Sequence, residues 1–329
     1  MKAVILAFSL LLPLSFSVAS AQLTKITVGY SLIAAASVPG WVAKEAGIFA
    51  KNGLDVQLVY IRGSGMIVMA LLSKETPIGQ MGGSSIVSAS LRGADTVMIA
   101  GGTVTTEQWL MSRPEIKTAE QLKGGSVAID RFGGTSDLLT RVALRKLGLT
   151  PVKDVAIVQI GSVPDRLSAL EKGKVQAAIL ISPDRFIAEK KGFYTLMIVS
   201  MPYQGVGVAT TRRFIRDNPD IVRKYVKSQV EAVHRIKTDR ETGMRVLVKY
   251  LGSQDKEILE KTYDLTSADD RLSRKQYPTL EGIKNILEPL AEKDPKAKAA
   301  KPEDFVDMRF IKELDESGFI DDLYKGSKR

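Results

Sequence analysis

The 329-residue chain contains no cysteine. That excludes disulfides, thiolate metal sites, a cysteine nucleophile and a lipid-modified cysteine at a cleavage point. Histidine is almost as scarce. His234, the only one, stands beside Arg235 in a long helical stretch, where a surface role fits better than a metal-binding or catalytic one. Serine–base chemistry would have to use that poorly placed imidazole. No Gly-x-Ser-x-Gly elbow, His-Glu-x-x-His pair or phosphate loop occurs. After the first twenty-odd residues, no apolar run is long enough to span a bilayer. Low-complexity tracts and short-period repeats are also missing. These absences argue against an enzyme and predict neither a cofactor nor a metal.

What remains is an ordinary globular composition, 44% apolar and 26% charged, with length for about two domains. The formal charge is +10. Basic residues are scattered among acids rather than clustered with aromatics, so a solvated basic surface accounts for the charge and a nucleic-acid partner is not expected. The N-terminus stands apart. Met1-Lys2 precedes an apolar run from Ala3 to Val18, broken by Pro13 and followed by Ala19-Ser20-Ala21. This predicts a secretory signal peptide over residues 1–21, cleaved before Gln22, and a free periplasmic protein.

Beyond it, short apolar runs alternate with helical periodicity. Strand-like stretches at Lys25–Ser31, Asp55–Tyr60, Ile78–Met81 and Thr96–Ala100 are separated by helical ones, which predicts a mostly parallel sheet. Gln108–Met111 leads away from it. A second alternation follows, with strands at Val127–Ile129, Val155–Ile160, Ala177–Ile181 and Thr195–Val199, then Val206–Ala209. From Pro219 onward the pattern is nearly all helix, with Lys293–Pro302 read as an exposed loop. The stretch Ser126–Leu147 shows the recurring joint most clearly: a strand, Gly133-Gly134, then Thr135-Ser136-Asp137 opening a helix. The first turn of such a helix carries unpaired N–H groups and the positive dipole end, a seat for an anionic or polar group. A plain N-cap explains the same residues.

The order of several segments resembles a known family. They are Tyr30-Ser31, Pro39-Gly40-Trp41-Val42-Ala43, Glu45-Ala46-Gly47-Ile48-Phe49, Gly53-Leu54-Asp55-Val56, Lys117 to Gly124, Leu144 to Leu149, Ala169 to Ala178 and Ile181-Ser182-Pro183. Together they resemble the periplasmic solute-binding proteins of ABC importers for nitrate, sulfonate and taurine, the group that includes thiamine-pyrimidine-precursor binding proteins. The resemblance implies an α/β, type II periplasmic-binding-protein fold: two lobes, two crossover strands, a helical C-terminal segment and a cleft that closes by hinge motion. The implied division is residues 22–105 in lobe 1, 106–205 in lobe 2 and 206–329 back in lobe 1, with crossings near Val104–Gln108 and Tyr203–Gly207. The implied partners are a small-molecule solute, an ABC permease and, through it, the ATPase; the protein is expected to be a monomer. The alternative is a periplasmic sensor or scavenger that uses the same cleft.

Carried onto this chain, the implied ligand positions in the first lobe are Ser31, Ser37, Ser64, Gly65, Gly83, Ser84 and Ser85. In the second they are Gly134, Thr135, Ser136, Ser162 and Asp184. Arg62 can pair with a carboxylate or sulfonate or simply lie at the surface. Asp184 can accept from an amine or ring N–H, or merely start a helix after Pro183. Trp109 and Tyr203, at the crossovers, can stack on a solute or pack the hinge. Enzymes that share the fold do not fit. The tetrapyrrole-building deaminase ties its cofactor to a cysteine, and thiamine-pathway precursor synthases use a histidine together with a cysteine-rich motif; this chain has no cysteine, and its one histidine, His234, stands in no such motif. Transcription-regulator effector domains would carry a helix-turn-helix and no export signal.

Overall fold

The computed structural model describes residues 22–292 and 294–326; the expected signal peptide lies outside the described residues. The first lobe alternates as read: β1 (Thr24–Tyr30), α1 (Val38–Glu45), α2 (Ile48–Lys51), β2 (Leu54–Tyr60), α3 (Ser64–Leu72), β3 (Ile78–Gly82), α4 (Gly83–Leu91) and β4 (Thr96–Ala100). The chain then crosses to a second lobe of β5 (Thr105–Ser112), α5 (Ala119–Leu122), β6 (Ser126–Ile129), α6 (Thr135–Lys146), β7 (Ala156–Gln159), α7 (Val163–Glu171), β8 (Ala177–Leu180), α8 (Asp184–Lys190) and β9 (Tyr194–Pro202). It returns as β10 (Val206–Thr211). Helices follow: α9 (Arg212–Asp217), α10 (Pro219–Thr238), α11 (Arg240–Leu251), α12 (Lys256–Ser267), α13 (Leu280–Ala291), α14 (Pro295–Ala299), α15 (Arg309–Glu316) and α16 (Phe319–Tyr324). No helix among the described residues is long and apolar enough to cross a membrane.

Two five-stranded sheets result, ordered β2-β1-β3-β10-β4 and β7-β6-β8-β5-β9. Each is parallel except for one crossover strand. β10 runs antiparallel to β3 and β4, and β5 antiparallel to β8 and β9. A strand arriving from the other lobe enters from the opposite direction, which local periodicity does not encode. The stretch expected as an exposed loop holds α14, whose Ala297 is buried against Ile283, Ile286 and Leu287. Ala297, with the partly buried Ala300 just beyond the helix, is the packing surface that the surrounding lysines concealed.

Each sheet is covered on both faces, as parallel sheets require. In the first lobe, fully buried Trp41 of α1 meets Tyr30 edge-on at 5.9 Å and stacks on Tyr250 of α11 at 4.6 Å. The C-terminal helices thereby close the core of lobe 1. In the second, Leu110, Leu139 and Leu144 fill one face and Trp109, Leu167 and Leu170 the other.

The two crossovers touch backbone to backbone. Thr103 N donates to Val206 O at 2.9 Å, Gly205 N to Thr103 O at 2.9 Å, and Tyr203 N to Val104 O at 3.0 Å. A third segment flanks them: Val104 N donates to Arg271 O at 2.9 Å and Gly101 N to Gln276 O at 2.7 Å. The crossover region is therefore built from three segments of chain, one of them from the helical C-terminal region.

Candidate functional site

In open α/β sheets, ligands bind outside the carboxyl ends of the parallel strands. Here those ends face each other across the two lobes. Arg62, after β2, pairs with Asp165 in α7 at 2.9 Å. Arg131, after β6, donates from Nη2 to Ser85 Oγ of α4 at 2.9 Å. The Thr135 hydroxyl lies 2.9 Å from the Tyr203 hydroxyl, and Ser84 lies close enough to act on the same phenol. Burial pushes the Tyr203 phenol up from its ordinary value, against the two hydroxyl partners that pull it down. It remains a neutral donor–acceptor between the lobes, near the crossovers. Tyr203→Phe removes this tie. The expected result is a shift toward the open arrangement worth about 1 kcal/mol, read as a larger radius of gyration of the unliganded protein in solution X-ray scattering. An unchanged radius would reduce the hydroxyl to packing.

Five of the six helix starts along this edge lack a side-chain cap. α1, α3, α4, α6 and α8 have no side-chain cap, whereas α7 is capped by Ser162, which accepts from Asp165 N. Elsewhere α5, α9, α11, α12, α13 and α14 are capped by Thr118, Thr211, Asp239, Asp255, Thr279 and Asp294, and α2, α10, α15 and α16 are not capped. Uncapped first turns leave N–H donors and the positive dipole end available. Gly134, the N-cap of α6, is buried against Asp130; a side chain there would stand 3.0 Å from its carboxylate. At α4 the first N–H, from Gly83, is taken by Gln204 O and Gly205 O at 3.2 and 3.1 Å, so Ser84 and Ser85 carry what remains free.

The predicted residues sort into three groups. Ser31, Ser64, Gly65, Gly83, Ser84, Ser85, Gly134, Thr135, Tyr203 and Asp184 all lie at strand ends or helix starts along the facing edges. Within them, Ser64 Oγ accepts from Gly82 N at 3.1 Å, and Gly65 lies beside Arg131. Ser31 Oγ is buried without a hydrogen-bond partner. A second group sits at the same edge with its hydroxyl or charge spent within the protein. Ser136 Oγ accepts from Asp130 N at 2.9 Å and donates to the Asp130 carboxylate, clamping the β6–α6 loop. Ser37 Oγ donates to Leu32 O at 2.8 Å. Ser162 is the α7 cap, and Arg62 is held by Asp165. The third is Trp109 alone. It is 3% exposed in the core of lobe 2, with the Arg185 guanidinium 4.4 Å from its ring centre, so packing is its role.

Four residues of this edge escaped the sequence reading. Arg131 and Asp165 bridge the lobes, and Ser182 Oγ is buried and unpartnered. Arg166 is 4% exposed, donating Nε to Ile179 O at 2.8 Å and Nη1 to Gly161 O at 2.6 Å. Arg131 does stand just before Gly133-Gly134 and Asp165 three residues after the capping Ser162, so both were within the motifs singled out. A buried arginine on a helix has no such signal. Burial lowers the Arg166 pKa from its ordinary value, opposed by Asp130, Asp184 and Asp165. Burial also raises the Asp184 carboxyl to about 6, against its own backbone N–H and Arg166.

No cluster of metal-ligating side chains occurs among the described residues. Depressions of about 390 and 310 Å³ lie elsewhere, between α10, α12 and the C-terminal helices. Their lining cations are paired: Lys237 and Arg274 with Asp269, Arg240 with Asp264, and Lys275 with Asp315.

The model of the NMT1-like family matches residues 19–251. A relative from Bacillus subtilis (strain 168), named "Putative binding protein YtlA", is 24% identical over 276 residues, 79% of this chain and 83% of its own. Among solved structures, the alkanesulfonate-binding protein SsuA from Xanthomonas axonopodis pv. citri, bound to MOPS, superposes with a TM-score of 0.68 at 17% identity. It covers 86% of this chain and 96% of that one. The periplasmic nitrate-binding protein NrtA from Synechocystis PCC 6803 gives a TM-score of 0.70 at 13% identity, covering 90% and 89%. Likeness at these identities speaks for the fold, and the family match over most of the chain speaks for descent. This chain belongs to the NMT1-like family and has the two-lobed fold of periplasmic solute-binding proteins.

Proposed function

We propose that this protein is the periplasmic solute-binding component of an ABC importer. It captures a small anionic or polar organic solute between the lobes and delivers it to a membrane permease. The observation that carries this reading is the pair of facing strand ends, with uncapped helix starts on both walls and an unpartnered buried hydroxyl on each, Ser31 and Ser182. A buried polar group without a partner is costly. A solute supplying that partner favours the closed form in which both walls reach it. Preformed N–H groups and excluded water provide the binding energy, and nothing in such a site calls for a reaction. The fold relatives point the same way, two of them being a sulfonate- and a nitrate-binding protein.

The test is a thermal-shift screen of the mature chain against organic anions, heterocycles and amines, with intrinsic fluorescence as a second readout. At least one solute is expected to raise the melting temperature. A screen in which none does, together with turnover of any substrate, would overturn the proposal.

A further inference from the structure

Helix α12 touches both lobes, with a different stripe of side chains on each. Leu259 and Tyr263, one turn apart, are buried in the core of lobe 1, where Tyr263 packs against the bare Gly243 and its hydroxyl donates to Ile236 O. Glu257, Lys261 and Leu265 form a second stripe at the same spacing, about 200° round the helix from the first. All three reach lobe 2. Glu257 pairs with Lys190 of α8 at 2.9 Å, and Lys261 Nζ lies 5.9 Å from the centre of the Phe186 ring. Leu265 packs against the cluster that holds Trp109, Leu167 and Leu170. Asp255, the α12 cap, puts a second carboxylate on Lys190 at 2.7 Å.

The two attachments differ in kind. The lobe-1 side is apolar and buried. The lobe-2 side is mostly charged and open to solvent, the Lys190, Asp255 and Glu257 side chains being 42%, 38% and 56% exposed. Just past its C-terminal end, the chain is tied to the crossover. Arg271 O accepts from Val104 N at 2.9 Å, Asp270 O accepts from Thr105 Oγ1 at 2.7 Å, and Arg271 pairs with Glu107 of β5. One end of α12 is thus fixed where the lobes pivot. The other, about 18 Å away at 1.5 Å per residue, grips Lys190. Rotation of the lobes about the crossovers moves the gripping end most. Exposed ion pairs are worth about 0.2–1 kcal/mol each, enough to bias two arrangements of similar energy and too little to lock them.

We propose that α12 is a clasp that favours the closed arrangement of the unliganded protein, with Lys190 as its catch. The balance between open and closed lobes is then set partly outside the cleft, by a positioning residue that touches no solute. Solute capture draws on the closed population, so the clasp raises apparent affinity without adding a contact. This inference rests on the lobes moving relative to each other, as the proposed function requires.

Small-angle X-ray scattering of the unliganded mature chain tests it. Lys190→Met removes the charge and keeps an apolar stem. It is expected to raise the open-to-closed ratio by about 3- to 10-fold, read as a larger radius of gyration. Lys190→Glu should go further in the same direction, and Lys190→Arg should match wild type. Arg223→Met is the control: it removes exposed pairs with Asp220 and Glu313 inside lobe 1 and should leave the radius unchanged. Circular dichroism checks that each variant folds. A radius unchanged in both Lys190→Met and Lys190→Glu overturns the inference. So does an equal expansion in Arg223→Met, or a Lys190→Arg radius equal to that of Lys190→Met. The measurement needs no solute, so a negative result leaves the solute-binding proposal to its own thermal-shift screen.

Discussion

Gly102→Ala is expected to destabilise the protein by more than about 3 kcal/mol and to do so where the two crossovers meet. Two penalties coincide there. Gly102 has φ +89°, a conformation that costs an L-residue about 1–2 kcal/mol. A Cβ at this position would also stand 2.0 Å from the Val206 carbonyl oxygen. That oxygen is backbone, and it already accepts from Thr103 N at 2.9 Å, so neither crossover can retreat without breaking the contact between them. The approach is reciprocal, since a Cβ on Gly207 would lie 1.9 Å from Gly101 O. Gly47→Ala separates the two penalties. Gly47 has φ +67° with nothing within 4 Å of an added Cβ, so it carries the conformational cost alone. Urea denaturation of the three proteins measures the difference. If Gly102→Ala falls within about 1 kcal/mol of Gly47→Ala, the crossovers are looser than the backbone contact implies.

Asp184→Asn is expected to make the unliganded protein more stable at neutral pH by roughly 2–3 kcal/mol. The carboxyl is raised from 3.8 to about 6, with burial as the largest cause. A carboxyl whose folded pKa lies above its unfolded value binds more protons when folded. Its charged form thus costs stability at high pH and costs nothing once protonated in both states. The penalty is absent below about pH 4, grows between 4 and 6, and is complete above 6. Asparagine keeps the shape and removes the charge. The variant should therefore melt several degrees higher than wild type at pH 7 and equally at pH 4. Equal melting at pH 7 would mean that the carboxylate is better solvated than its burial indicates.

Most of the fold was legible before the structure. Alternating strand and helix signals located nearly every element of both lobes, because buried parallel strands read as short apolar runs and helices as a 3.6 periodicity. Helix starts were legible for the same local reason, from glycine turns and small hydroxyl residues. What escaped were α14, hidden among lysines, and the antiparallel entry of β5 and β10. Each depends on what the segment meets in space.

For the cleft, the division is sharper. The sequence alone determined that strand–glycine–helix joints recur in two series and that no cysteine chemistry is possible. Such features are written within a few consecutive residues. Only the tertiary structure decided which of those residues keep a free polar group. Thr135 and Ser136 are adjacent, yet one reaches Tyr203, 68 positions away, and the other is spent on Asp130. Ser162 caps its helix, while Ser31 and Ser182, from different sheets, are left without partners. Availability for a ligand is what remains after every internal hydrogen bond and ion pair has formed, and those partners come from segments far apart in the chain.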